Sequence, residues 1–143
     1  LLWLKKNCRF PLVQLLGDPE DFPPDLAQAP EKYTYRKMAG EDGLKRIAAY
    51  AAGVGPEKRY IVPVAPLTGA VGDPSDFIAR AHKAGLVVHP YTFRSDTDYL
   101  AAGYKNDPLA EYRLFYRLGV DGVFSDFPDM ALKARRELFR ARK

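Results

Sequence analysis

Short apolar runs alternate along this chain with stretches whose apolar positions recur every three or four residues. Phe10-Pro11-Leu12-Val13-Gln14-Leu15-Leu16 is such a run, and Gly17-Asp18-Pro19 closes it with turn residues. The spacing of Leu44, Ile47, Ala48 and Ala51 predicts a helix over 41–52, ended by Gly53 and Gly55-Pro56. Tyr60-Ile61-Val62-Pro63-Val64 reads as extended, placed at an edge or in a loop because Pro63 cannot donate to a ladder. Asp73 as cap and Pro74 in the first position open a second helix over 74–84, with Phe77, Ile78, Ala81 and His82 at helical spacing and Gly85 as its stop. Leu86-Val87-Val88-His89-Pro90-Tyr91 follows at once as a strand. The unit then repeats. Asp107-Pro108 opens a helix over 107–118 through Leu109, Tyr112, Phe115 and Tyr116, Gly119 ends it, and Val120 to Ser125 carries a strand near 122–125. A last helix covers 128–141.

With a first strand near 11–16, this alternation predicts an α/β architecture: a parallel sheet with helices packed outside it. The strands are apolar continuously rather than alternately, as expected when both faces are buried. Each turns polar at its C-terminal end. His89, Tyr91, Thr92 and Arg94 follow one strand, and Ser125 and Asp126 follow another. Ligand sites of α/β folds gather at that edge. Arginine suits bidentate contact with phosphate, histidine serves proton transfer or hydrogen bonding, and tyrosine adds a hydroxyl and a flat apolar face. Gln14, His89, Tyr91, Arg94 and Asp126 are thus expected at one mouth. Gln14 lies mid-run, and Asp126 also suits the N-cap ahead of Pro128. The polar stretch 17–40, with Pro19, Pro23, Pro24 and Pro30, reads as a long loop of the lid or binding type.

Composition narrows the class. The chain has 143 residues, 47% apolar and 28% charged, which excludes a disordered or collagen-like chain. No run of about 18 apolar residues is present, so no membrane-spanning helix is expected. Lys+Arg number 22 against 18 Asp+Glu. Much of the excess sits at the end, in Lys133, Arg135, Arg136, Arg140, Arg142 and Lys143, and is read as the solvated face of the last helix. A nucleic-acid patch would need aromatic or motif support, which is missing. The single Cys8 cannot form an intramolecular disulfide and is read as a buried thiol; His82 is read as a helix-face residue. Leu1-Leu2-Trp3-Leu4-Lys5-Lys6 lacks the features of a signal peptide, and the chain reads as a piece with more residues expected before Leu1.

Gly85-Leu86-Val87-Val88-His89-Pro90-Tyr91-Thr92-Phe93-Arg94-Ser95-Asp96 and Gly119-Val120-Asp121-Gly122-Val123-Phe124-Ser125-Asp126-Phe127-Pro128-Asp129 together resemble the last two strands of glycerophosphodiester phosphodiesterases of the bacterial periplasmic type. Leu12-Val13-Gln14-Leu15 is similar to an earlier strand of that family, and Ala52-Gly53-Val54-Gly55-Pro56 to its segment beyond the following helix. The resemblance implies that residues 1–143 are the C-terminal part, about three βα units, of a TIM (β/α)8 barrel of the PLC-like phosphodiesterase superfamily. A whole barrel needs about 250 residues. It further implies hydrolysis of glycerophosphodiesters to an alcohol and sn-glycerol 3-phosphate, in lipid and glycerol metabolism, and a periplasmic or secreted address. His89, Tyr91, Arg94, Gln14 and Asp126 are the implied substrate-pocket residues. The family's catalytic histidines and the ligands of its divalent cation, Ca2+ or Mg2+, have no match in this sequence, so the isolated chain is expected to bind rather than turn over. The expected partners are a small-molecule glycerophosphodiester and either a second copy or a missing N-terminal half. A non-catalytic half-barrel that binds phosphorylated ligands is the alternative. An unrelated doubly wound binding domain is disfavoured by the lack of a Gly-rich phosphate loop.

Overall fold

The computed structural model describes residues 1–24 and 33–140. Helix α1 (Leu2–Asn7) precedes strand β1 (Val13–Leu16). Helices α2 (Tyr35–Met38) and α3 (Glu41–Ala48) lead to strand β2 (Gly53–Pro56). Helix α4 (Phe77–Lys83) leads to strand β3 (Val87–Val88), and α5 (Pro108–Leu118) and α6 (Pro128–Arg140) complete the chain. The three strands form one parallel sheet in the order β1-β2-β3. Val13 pairs with Gly53, and Gly53 with Val87.

The central strand β2 stands where the sequence reading placed only the end of a helix. Two glycines and a proline hide its strand character, because β2 has no side-chain periodicity to read. The reason lies in its neighbours. A Cβ on Gly53 would stand 2.6 Å from Val87 Cγ2, and one on Gly55 2.6 Å from Leu15 Cδ2. Side chains from β1 and β3 close over β2, and only glycine leaves them room. Helix α3 accordingly ends at Ala48 rather than at 52.

Other boundaries also move. Helix α4 begins at Phe77, three residues after the expected Pro74, and its Phe77 N–H donates to the Ser75 hydroxyl at 3.2 Å rather than to the Asp73 carboxylate. The expected strand 86–91 is regular only at Val87–Val88, with one further parallel bridge from Tyr91 to Glu57. The expected strand at 122–125 is a segment that follows β3 in parallel but makes a single bridge, Phe93 to Ser125. Its N–H groups still find carbonyls there: Asp121 donates to Val88, and Phe124 to Pro90. Tyr60 ends a 3-10 turn, Lys58–Tyr60, and residues 61–64 run on as a loop, as one of the two expected placements had it, with Ile61 and Val62 buried and Val64 making an isolated bridge to Val71. Within 17–40, helix α2 occupies 35–38, with Arg36 paired to Glu20; Pro30 lies outside the described residues, as do Arg142 and Lys143 of the terminal basic cluster. Cys8 is half-buried, not buried, and accepts from the Phe10 N–H.

One face of the sheet carries the core. Leu16, Val54 and Val88 pack there against Leu44 and Ile47 of α3, Phe77 and Ala81 of α4, Tyr112 and Phe115 of α5, and Ala131 and Ala134 of α6. The other face is open: Leu15, Val87 and Phe124 are 47%, 39% and 44% exposed. The terminating glycines act as expected, with Gly85 at φ +82° and Gly119 at φ +100°, left-handed conformations that close α4 and α5.

Candidate functional site

A parallel sheet points all its C-terminal strand ends one way, so the polar residues beyond β1, β2 and β3 gather at one edge. The Leu16 carbonyl at the end of β1 accepts from the Glu57 N–H at 3.0 Å and from the Tyr91 hydroxyl at 2.9 Å. Tyr91 therefore reaches from the end of β3 across β2 to β1. Burial pushes its phenol above the ordinary value, which keeps it a neutral donor.

Arg94 and Asp126 are brought together. The Arg94 Nε lies 3.0 Å from Asp96 and 3.6 Å from Asp126, and the guanidinium stacks on Tyr99 with 4.0 Å between its carbon and the ring centre. The hydrogen bond that Arg94 donates to Asp96 is the chief influence that holds the guanidinium's charge firmly. Ser125, not Asp126, offers the hydroxyl at the entry to α6: it accepts from the Phe127 N–H at 2.9 Å and meets the Tyr112 hydroxyl at 2.7 Å.

His89 and Gln14 stand apart from that pair. His89 is half-buried, its ring edge-on to Phe124 with centroids 6.3 Å apart, and against Gly122, where a Cβ would be 3.1 Å from the imidazole. Gln14 takes the hydrogen bond of Tyr50 at 2.8 Å and donates to the Leu15 carbonyl. It braces β1 against the end of α3 rather than facing the other four. His82, at the opposite end of β3, meets Asp121 Oδ2 at 2.9 Å, an oxygen that also takes the Val88 N–H.

Two residues absent from the sequence reading join this edge. Lys58 follows β2 directly, and its ammonium lies 2.7 Å from Glu111 Oε1 of α5. Glu111 is 2% exposed. Burial pushes its carboxyl up, and Lys58 opposes that shift. A charged residue on the apolar face of α5, four before Phe115, was the available signal. Lys58 had none, because β2 was not recognised. Both line an open cleft of about 260 Å³ beside Tyr99. A larger depression, about 420 Å³, lies over the α2–α3 turn; there Glu41 pairs with Lys45 and Lys83, Asp42 with Lys45, and Arg46 lies over Tyr33.

Among the described residues, no three of His, Cys, Asp and Glu converge to hold a metal ion. Nor is any described helix long and apolar enough to cross a membrane.

Comparison with known proteins agrees with the strand-end motifs. The family model for the glycerophosphoryl diester phosphodiesterase family matches residues 5–130. The Arabidopsis thaliana protein named glycerophosphodiester phosphodiesterase GDPD6 is 40% identical over 95 residues, covering 66% of this chain and 25% of the relative. The Arabidopsis protein named glycerophosphodiester phosphodiesterase GDPDL7 is 38% identical over 108 residues, covering 73% of this chain and 14% of its own. A Treponema pallidum glycerophosphodiester phosphodiesterase is 32% identical over 102 residues, covering 71% of this chain and 28% of the relative. The chain thus spans little more than a quarter of the length of these relatives, or less. A family match running through β1, β2, β3 and both strand-end motifs leaves one conclusion: this chain belongs to the glycerophosphoryl diester phosphodiesterase family.

Proposed function

We propose that this chain is a portion of a (β/α)8 barrel that hydrolyses glycerophosphodiesters to an alcohol and sn-glycerol 3-phosphate, and that it supplies the substrate pocket rather than the reacting groups. The observation that carries this reading is the family match across residues 5–130, which includes both polar strand ends. In this reading Arg94 contacts the phosphate. Its ion pairs to Asp96 and Asp126 run through Nε, and Tyr99 backs its face, so the guanidinium is oriented before substrate arrives. Tyr91 fixes the mouth by tying β3 to β1. Calcium or magnesium belongs to this reading as a group held by residues other than those described, and it would neutralise phosphate charge. Proton transfer is likewise assigned to groups outside this chain.

The test is a graft. Residues 5–130 replace the matching segment of the Arabidopsis relative, and release of glycerol 3-phosphate from glycerophosphocholine is measured with added calcium or magnesium. The graft is expected to turn over, and the 143-residue chain alone is not. Arg94→Ala in the graft should lower kcat/KM by about tenfold or more, the scale of a lost charged hydrogen bond. A folded but inactive graft would overturn the reading. A non-catalytic half-barrel is the second reading, favoured by the exposed Leu15, Val87 and Phe124 on the open face; turnover by the graft removes its support.

A further inference from the structure

The cleft beside the end of β2 has a chemistry of its own. Its inner wall is the pair Lys58–Glu111, and Val64, Asp98, Tyr99 and Leu100 stand around it. The Lys58 side chain is 18% exposed and that of Glu111 3%. Their contact joins Nζ to Oε1, while Glu111 Oε2 is buried and has no hydrogen-bond partner among the described residues. Lys58 Nζ also lies 5.3 Å above the centre of the Phe93 ring.

An ammonium carries three donors, and a carboxylate carries two oxygens that each accept. One contact between them leaves donors on one partner and an acceptor oxygen on the other. A buried acceptor without a partner is unfavourable, and a ligand that satisfies it gains by doing so. Charge narrows the ligand. The pair is neutral as a unit, as are Arg59 and Glu57, and the remaining charge of the lining is the exposed Asp98, which repels a phosphate and is too solvated to hold a quaternary ammonium by itself. A hydroxyl group fits both halves, since it accepts from Nζ and donates to the carboxylate once a turn of the Glu111 side chain brings Oε2 to the cleft. The apolar surfaces of Val64, Leu100 and Tyr99 suit the C–H faces of a polyol.

We propose that this cleft is a polyol subsite in which Lys58 and Glu111 hold adjacent hydroxyls of a phosphodiester. The phosphodiester part rests on the function proposed above; the hydroxyl chemistry does not. Two moieties share that chemistry, the glycerol end and a polyol head group.

The experiment titrates the 143-residue chain with glycerol, myo-inositol, tetramethylammonium and inorganic phosphate, followed by amide chemical shifts of Lys58, Tyr99 and Glu111. Saturable shifts are expected with a polyol and not with tetramethylammonium or phosphate. Preference for glycerol assigns the glycerol end, and preference for inositol assigns the head group. The double variant Lys58→Met with Glu111→Leu replaces the pair by apolar side chains of similar size, a change buried ion pairs often tolerate. It should keep its circular dichroism and lose about tenfold or more in polyol affinity. Should it not fold, Glu111→Gln is used, which keeps size and one acceptor and should also weaken binding. Tetramethylammonium or phosphate binding as well as the polyols, no polyol binding, or polyol binding unchanged in a folded variant overturns the proposal. An active graft with no polyol binding leaves the phosphodiesterase reading standing alone. Polyol binding with an inactive graft leaves the subsite alone.

Discussion

Gly53 sets how closely β1 and β3 approach β2. A Cβ there would meet Val87 Cγ2 at 2.6 Å and the Val87 carbonyl oxygen at 2.9 Å. The side chain can turn away, but the backbone oxygen cannot without moving β3. Gly53→Ala should therefore destabilise by about 1–3 kcal/mol, the range of overpacked cores, measured by urea denaturation. Asp121 acts through charge. Burial is the largest single influence on its carboxyl and pushes it up, yet the Val88 N–H and His82 outweigh burial and hold it below its ordinary 3.8. A carboxylate with a depressed folded-state value stabilises above its unfolded value and loses that contribution as pH falls through the folded one. Asp121→Asn keeps an acceptor for Val88 and removes the charge. Thermal melts should show wild type ahead of Asp121→Asn at neutral pH, with the gap closing as pH falls below about 4. A gap that widens toward acid would contradict the assignment.

Helix α5 shows how local signals make an element. Asp107 accepts from the Leu109 N–H at 2.9 Å, Pro108 fills the first position, and Gly119 closes the helix at φ +100°. Its buried side brings Tyr112 and Phe115 onto Phe93, with ring centroids 5.1 and 4.9 Å away. Asp107→Ala removes the cap and should cost about 1 kcal/mol. Gly119→Ala forces a Cβ into a left-handed conformation and should cost about 1–2 kcal/mol. Nothing lies within 4 Å of that Cβ, so backbone strain alone is tested there. Denaturant midpoints of the two variants, at unchanged slope, measure both.

At the scale of the whole molecule the sheet has a filled face and an open one. The helices cover Leu16, Val54 and Val88 completely, while Leu15, Val87 and Phe124 remain well exposed opposite them. Trp3 and Phe10 add 72% and 81% exposed aromatic surface near the start of the chain. Apolar patches of this kind mark association. The isolated chain should self-associate. Sedimentation across a concentration series is expected to show growing mass, and Leu15→Lys with Phe124→Lys should return the monomer. A wild-type chain that stays monomeric and unfolds cooperatively would show that the open face needs no cover.

The sequence by itself determined the alternation of helices and strands, the parallel class, the stops at Gly85 and Gly119 and the cap at Asp107. These depend on neighbours within one helical turn, so they can be read locally. The family was also legible, because two strand-end motifs lie in unbroken runs. Tertiary structure alone decided the rest. Strand β2 exists because its glycines admit Leu15 and Val87, residues far away along the chain. The segment at 122–125 makes one bridge rather than a strand because irregular backbone around Pro90 and Tyr91 is what it follows. Gln14 turned to Tyr50 because alternation along β1 puts it on the helix side with Leu16. Lys58 and Glu111 met because β2 ends and α5 begins at the same edge of the sheet, a proximity that a separation of 53 positions along the chain conceals.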